Sequence, residues 1–291
     1  MVAEMILVTG ATGSNGRELI NVLTLTGVAV RAMVRSMEHA QGLIGRDGVD
    51  VVVGDFDRAE TLRAVLKGID RAFLVTNSSE RAEQQQLAFV EAGSAEGLRH
   101  IVKLSQLAAD ENSPVRFLRY HGVVERSIRE SGMEYTFLRP NLYMQGLLGF
   151  APTISAAGTF SAAAGDSVVS MVDVRDNAAA AAAALTTAGH EGKTYDLTGP
   201  QGLTHVEMAN IMSSILGRRI VFVDQSPDEM QAAMLKMGMP RWQAEGLVED
   251  YAHYRRGEAS AVSTGVIEAT GVRPRSFEEF VHDYRNVLLN L

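Results

Sequence analysis

The chain has 291 residues, 46% of them hydrophobic, enough for a large core arranged as one big domain or as a core domain with a smaller one. A formal charge of −8 with no basic cluster excludes nucleic acid and anionic membranes as partners held by bulk electrostatics, and the lack of cysteine excludes disulfides, thiolate nucleophiles and cysteine-ligated zinc. No apolar run approaches the ~20 residues that span a bilayer, and Glu4 precedes the first strand without a basic, cleavable leader, so a cytoplasmic protein with no membrane partner is expected.

The first element is a strand. Met5 to Thr9 is a short apolar run rich in β-branched residues, and from Arg17 onward Leu19, Ile20 and Leu23 recur at helical spacing. Between them "GATGSNG" sets Gly10, Gly13 and Gly16 three residues apart. Glycine lets a ligand approach the main chain with no Cβ in the way, and a helix opening at such a turn aims free N–H groups and its positive dipole end at the ligand. Gly10, Thr12, Gly13, Ser14, Asn15 and Gly16 are therefore expected to cradle a phosphate or pyrophosphate. The next strand, Val28 to Arg35, makes this the opening of a dinucleotide-binding unit.

Further strand-like runs follow at Val49 to Val53, Arg71 to Val75, His100 to Leu104 and Tyr135 to Leu138, separated by helical segments at Ala59 to Leu66, Arg81 to Ala95 and Gly122 to Glu130. This alternation predicts an α/β protein with a doubly wound parallel sheet, a Rossmann fold. Ligands of such sheets bind beyond the carboxyl ends of the strands, a rule that selects Arg35, Asp55, Thr76, Asn77, Ser105 and Pro140 to Tyr143, Asn141 among them. At the end of the second strand an NAD-selective site would carry an acid for the ribose 2′-OH; here stands Arg35, which suits a 2′-phosphate and predicts NADPH as cofactor with NADH weaker. A solvated surface cation is the other reading of Arg35.

Near residue 145 the rhythm changes, which suggests a Rossmann domain over 1–145 and a smaller substrate-binding portion over 146–291, interleaved with it. "DVRDNAAAAAAALTTAG" predicts a helix with Asp176 as N-cap and Gly189 as terminator, its seven alanines packed tightly on a neighbour. A strand then precedes a helix capped by Thr204 with Glu207, and another strand follows. Met230, Met234 and Met237 fall on one helical face, ahead of Met239 and Trp242. That stripe reads as core, or as a wall for a flat aromatic ligand.

Short-chain dehydrogenases commonly use a tyrosine acidified by a lysine four residues later, and none of the seven tyrosines has one. The histidines show no metal-binding spacing and no GxSxG elbow is present, so no metal or hydrolytic serine is expected.

"YHGVVERSIRESGMEYTFLRPNLYMQ", "YDLTGP" and "TGVRPRSFEEFVHDY", together with the GxxGxxG turn, resemble the NmrA-like, atypical short-chain dehydrogenase/reductase family across essentially the whole chain. Within it the quinone oxidoreductase and triphenylmethane-reductase-like members are the most similar. The resemblance implies an NAD(P)H-dependent reductase of a quinone-like or other conjugated aromatic acceptor. It also allows an NADP(H)-binding redox sensor that regulates a protein partner without turnover, and a homodimer in either case. It places Asp55 near the adenine, Ser105 where the superfamily keeps a serine, and His121 where the family often has lysine. On this reading His121 orients the ribose or donates a proton near neutral pH, with Tyr143 and Asn141 at the same rim. Lys103 lies within its strand and faces the ligand or turns away.

Overall fold

The computed structural model describes residues 5–291; Glu4 lies outside the described residues. Strand β1 (Ile6–Val8) is an interior strand of a seven-stranded sheet, with all three side chains buried. The others are β2 (Val30–Val34), β3 (Val49–Val53), β4 (Arg71–Leu74), β5 (His100–Leu104), β6 (Glu134–Pro140) and a seventh from the second half of the chain. All pairings are parallel. The helices between them are α1 (Ser14–Leu25), α2 (Ala59–Leu66), α3 (Ala82–Ala95) and α4 (Arg116–Glu130).

The two-residue period of a strand decides which core each side chain joins. Ile6 and Val8 pack with Leu19, Ile20 and Leu23 of α1, whereas Leu7 packs on the other face with Leu62 and Leu66 of α2 and Phe89 of α3. The chain leaves β1 towards β2 on one side and returns at β4 on the other. That reversal is the switch point of a doubly wound fold, and it opens a crevice above the end of β1.

After β6 come α5 (Ala151–Ala157), β7 (Thr159–Ala162), β8 (Val168–Val169) and α6 (Val174–Thr186), and then β9 (Lys193–Leu197), which joins the sheet beside β6. Both α6 and β9 thus complete the layer built by the first half. In α6, Ala178, Ala180, Ala181 and Ala184 are buried in the same cluster as Leu19 and Leu23 of α1. Side chains this small let the helices approach closely; a larger one would push them apart at about 1–3 kcal/mol. The N-cap is Asp173, whose carboxylate accepts from Arg175 N, and not Asp176. Asp176 lies one turn in and accepts from Arg275 instead. The helix also stops at Thr186, short of Gly189, where Thr187 is already extended.

The remainder forms β10 (Leu203–Thr204), α7 (His205–Leu216), β11 (Val221–Asp224), α8 (Pro227–Lys236) and α9 (Arg241–Arg255), closed by short helices. Thr204 and Glu207 make the expected capping box at α7. Met230 and Met234 of α8 are buried with Ala163 and Ala244, but Met237 is 73% exposed. It caps the C-terminus of α8 and faces outward, so the methionine stripe ends one turn earlier than its spacing predicts. Among the described residues no helix is long and apolar enough to cross a membrane.

Candidate active site

The Thr9 hydroxyl bonds the carbonyls of Phe73 and Val75 and accepts from Val75 N, fixing the end of β1 to the end of β4. The glycine turn starts from this fixed point. Gly10 has φ +57°, and a Cβ there would stand 2.6 Å from Val75 Cγ1; a Cβ on Gly16 would run into the Gly10 carbonyl. These two glycines close the turn. Gly13 differs: its nearest neighbour to a Cβ is Gly10 O at 3.3 Å, and the residue is exposed.

Gly13 is also the N-cap of α1, with no side-chain cap and no acidic residue in the first turn. The leading amides of a twelve-residue helix therefore face the crevice without an internal acceptor. Among the described residues, the Thr12 and Ser14 hydroxyls have no hydrogen-bond partner, whereas Asn15 Oδ1 accepts from Asn177 at 3.4 Å. Arg35, at the end of β2, is exposed and makes no hydrogen bond or ion pair with any described residue. Asp55 spends Oδ1 on the amide of Asp57 at 3.0 Å, Thr76 Oγ1 accepts from Gln86 at 2.8 Å, and Asn77 is exposed at the rim. The residues present fit a phosphorylated dinucleotide: an open cradle for one anion and an unpaired guanidinium for another.

The far side of the crevice is a buried polar network around α4. Glu125, wholly buried, accepts two hydrogen bonds from Arg139 of β6 at 2.9 and 2.6 Å, one from Arg129 at 3.2 Å and one from Ser105 at 2.6 Å. The single Ser105 proton is thus committed to Glu125, and only lone pairs remain for a ligand. Lys103 of β5 turns towards α4, where its Nζ is hydrogen-bonded to His121 Nδ1 at 2.6 Å. Both side chains are buried.

Burial lowers the Lys103 pKa to about 7, with Glu125 opposing and Arg139 adding to the effect. It also holds His121 well below the usual 6.5, helped by the charges of Lys103 and Arg139. His121 is therefore a neutral imidazole at pH 7 and titrates below the near-neutral range expected from its residue type. Its ring lies 4.1 Å from that of Tyr120, whose hydroxyl is paired with Ser78 at 3.2 Å.

Tyr143 lies against the Asn15 side chain, and burial pushes its phenol up to about 12, so it stays a donor. Pro140 is buried, and its carbonyl accepts from Leu107 N. Asn141 is fully used by the fold: its amide donates to Ser170 Oγ and Ala259 O, and its Oδ1 accepts from Leu142 N. It joins loops and has no side-chain proton left for a ligand.

Four contributors escape sequence reasoning. Glu125 and Arg139 organise the network, and Asp250 of α9 is buried with both carboxylate oxygens on Gln106 Nε2 at 3.1 and 3.0 Å. Burial raises the Asp250 carboxyl to about 7 against the Gln106 hydrogen bond. Gln106 directly follows Ser105, which hints at a rim position, but its partner lies 144 residues away.

Residues 3–281 match the NmrA-like family. The chain is 37% identical over 276 residues to the NAD(P)H azoreductase of Xenophilus azovorans, covering 95% of this chain and 96% of that protein. Its fold superposes on the NADPH-dependent quinone oxidoreductase of Escherichia coli in complex with NADPH with a TM-score of 0.87 at 29% identity, covering 96% and 99% of the two chains. On the Citrobacter sp. triphenylmethane reductase complexed with NADP(H) the TM-score is 0.85 at 31% identity, again covering 96% and 99%. The glycine turn, the doubly wound sheet and these likenesses along nearly the full length agree, and the chain belongs to the NmrA-like family.

Proposed function

We propose that this chain is an NADPH-dependent reductase that delivers a hydride to a quinone-like or other conjugated aromatic acceptor. The observation that carries the cofactor choice is Arg35, a guanidinium without a partner among the described residues at the end of β2, where no acid stands to repel a 2′-phosphate. Gly10, Thr12, Gly13, Ser14, Asn15 and Gly16 would hold the pyrophosphate, with Asp55 on the adenine side and Thr76, Asn77 and Pro140 along the rim. Bound NADPH supplies the hydride.

The chain's own contribution is to orient, to exclude water and to handle one proton. A conjugated acceptor drives hydride transfer by its own electron deficiency, so a strong acid such as a Tyr-Lys pair is dispensable. The neutral His121 and the phenol of Tyr143, both still carrying a proton at pH 7, are the groups assigned to that proton. Azoreductase, quinone oxidoreductase and triphenylmethane reductase relatives all support such an acceptor class.

The test is NADPH absorbance followed with a panel of quinones, azo dyes, cationic dyes and aldehydes. Consumption with the conjugated acceptors and not with simple aldehydes is expected. No consumption with any acceptor, while NADPH still raises the melting temperature by mass action, would replace this reading with a dinucleotide sensor.

A further inference from the structure

We propose that Lys103 is a positioning residue for His121: it donates to Nδ1, fixes the ring as the Nε2–H tautomer and replaces the proton that Nε2 gives away. The proton-replacement half rests on the reductase reading above; the tautomer half does not.

The geometry is unusual for a structural lysine. Lys103 is wholly buried in the middle of the sheet, where an ammonium is costly unless paired. A carboxylate is close, yet Glu125 is already taken by Arg139, Arg129 and Ser105. What Lys103 bonds instead is His121 Nδ1 at 2.6 Å, with the Leu104 carbonyl a longer second acceptor at 3.3 Å. In its ammonium form Lys103 can only donate, which leaves Nδ1 the unprotonated nitrogen and puts the ring hydrogen on Nε2. Nε2 has no hydrogen-bond partner among the described residues, so its N–H remains for a ligand.

The charged and titratable groups around the pair are Glu125 and Tyr120 from α4 and Arg139 from β6. The two cations keep the ring neutral, and burial brings Lys103 to about 7, where its proton is readily given up. As the reduced acceptor is protonated, the Nε2–H bond breaks and an O–H or N–H bond forms on the acceptor. The Nζ–H bond of Lys103 breaks with it and an Nδ1–H bond forms, so the ring stays neutral and the lysine becomes an amine. A proton from water then returns to Nε2 while Nδ1 restores its own to Lys103. One proton leaves the protein and one enters.

Long-range proton–nitrogen NMR of the histidines, with His121 assigned by its loss in His121→Gln, reads the tautomer directly. The wild type should show Nε2–H alone. Lys103→Gln keeps a donor on Nδ1 but has no proton to give, so it should retain that tautomer while kcat falls about 100-fold and NADPH affinity changes less than about twofold. Lys103→Met should lose the single tautomer as well as kcat, with an unchanged or higher melting temperature because a buried charge has gone. An Nδ1–H ring in the wild type overturns the proposal, as does a Lys103→Met protein with wild-type tautomer and turnover. If no acceptor consumes NADPH, the reductase reading fails alone and the NMR result still decides whether Lys103 sets the tautomer.

Discussion

Replacing Gly13 with alanine should weaken dinucleotide binding at least about 10-fold and leave the fold almost as stable as before. The backbone there has φ −78°, which any residue adopts, and the added Cβ meets nothing nearer than Gly10 O at 3.3 Å. As an N-cap, alanine is worse than glycine by about 0.5–1 kcal/mol. The stiffer unfolded chain returns about 0.4–1 kcal/mol, so the net change should stay within about 1 kcal/mol, a few degrees in melting temperature at most. Binding is another matter, because on the proposed placement of the cofactor the methyl group stands where a phosphate oxygen would reach the first amides of α1. Losing one or two charge-assisted hydrogen bonds at about 1.5–3 kcal/mol each weakens NADPH about 10- to 10,000-fold. Gly16→Ala is the contrast: its Cβ would strike the Gly10 carbonyl, so stability itself should fall. Calorimetric titration with NADPH beside thermal melts separates the two. A Gly13→Ala protein with wild-type affinity would refute the placement of the phosphates at this turn.

Arg35→Ala should erase an NADPH preference of at least ~10-fold while NADH affinity hardly moves, as read by the same titration. Arg139→Met takes two hydrogen bonds from the buried Glu125 carboxylate and should destabilise the protein by about 3 kcal/mol in urea unfolding. Burial holds His100 and His205 near a pKa of about 4, below the ordinary 6.5 of the unfolded chain. The unfolded state therefore binds more protons between those values, so stability is full above about pH 6.5 and falls as pH drops towards 4. His100→Gln should flatten that slope in urea melts run across the range.

What could be read from the sequence was local. The run from β1 through the glycine turn into α1 is a contiguous pattern, and the alternation of strands and helices fixes a doubly wound sheet because each period can be counted along the chain. The site's far wall could not be read the same way. All five residues of β5 are buried, so no polar alternation reveals which face Lys103 takes. The choice of Asp173 over Asp176 as cap is reinforced by Gln145, which donates to Asp173 and whose own oxygen accepts from Val174 N. Ser105, read as a rim residue, is drawn into the network by a carboxylate from the next helix and a guanidinium from the next strand. Asp250 meets Gln106 only after the second half of the chain has folded back over the sheet.

That folding back reaches into how the protein is made and how it could be recombined. β6 pairs with β9 only after residues 141–192 have been synthesised, so until then a nascent chain carries β6 as an open edge, with Phe137 and Leu138 in its middle and a row of unpaired amides able to template another strand. Slow translation through that stretch would lengthen the exposure. A chimera joined at residue 145 would likewise exchange more than a binding pocket: it would replace the outer strand of the sheet and the alanine helix lying on α1, directly behind the glycine turn. On the proposed function, acceptor preference is better transplanted through α9, whose Asp250 meets Gln106 and whose Trp242 lies on Tyr120, and which leaves the sheet's edge in place.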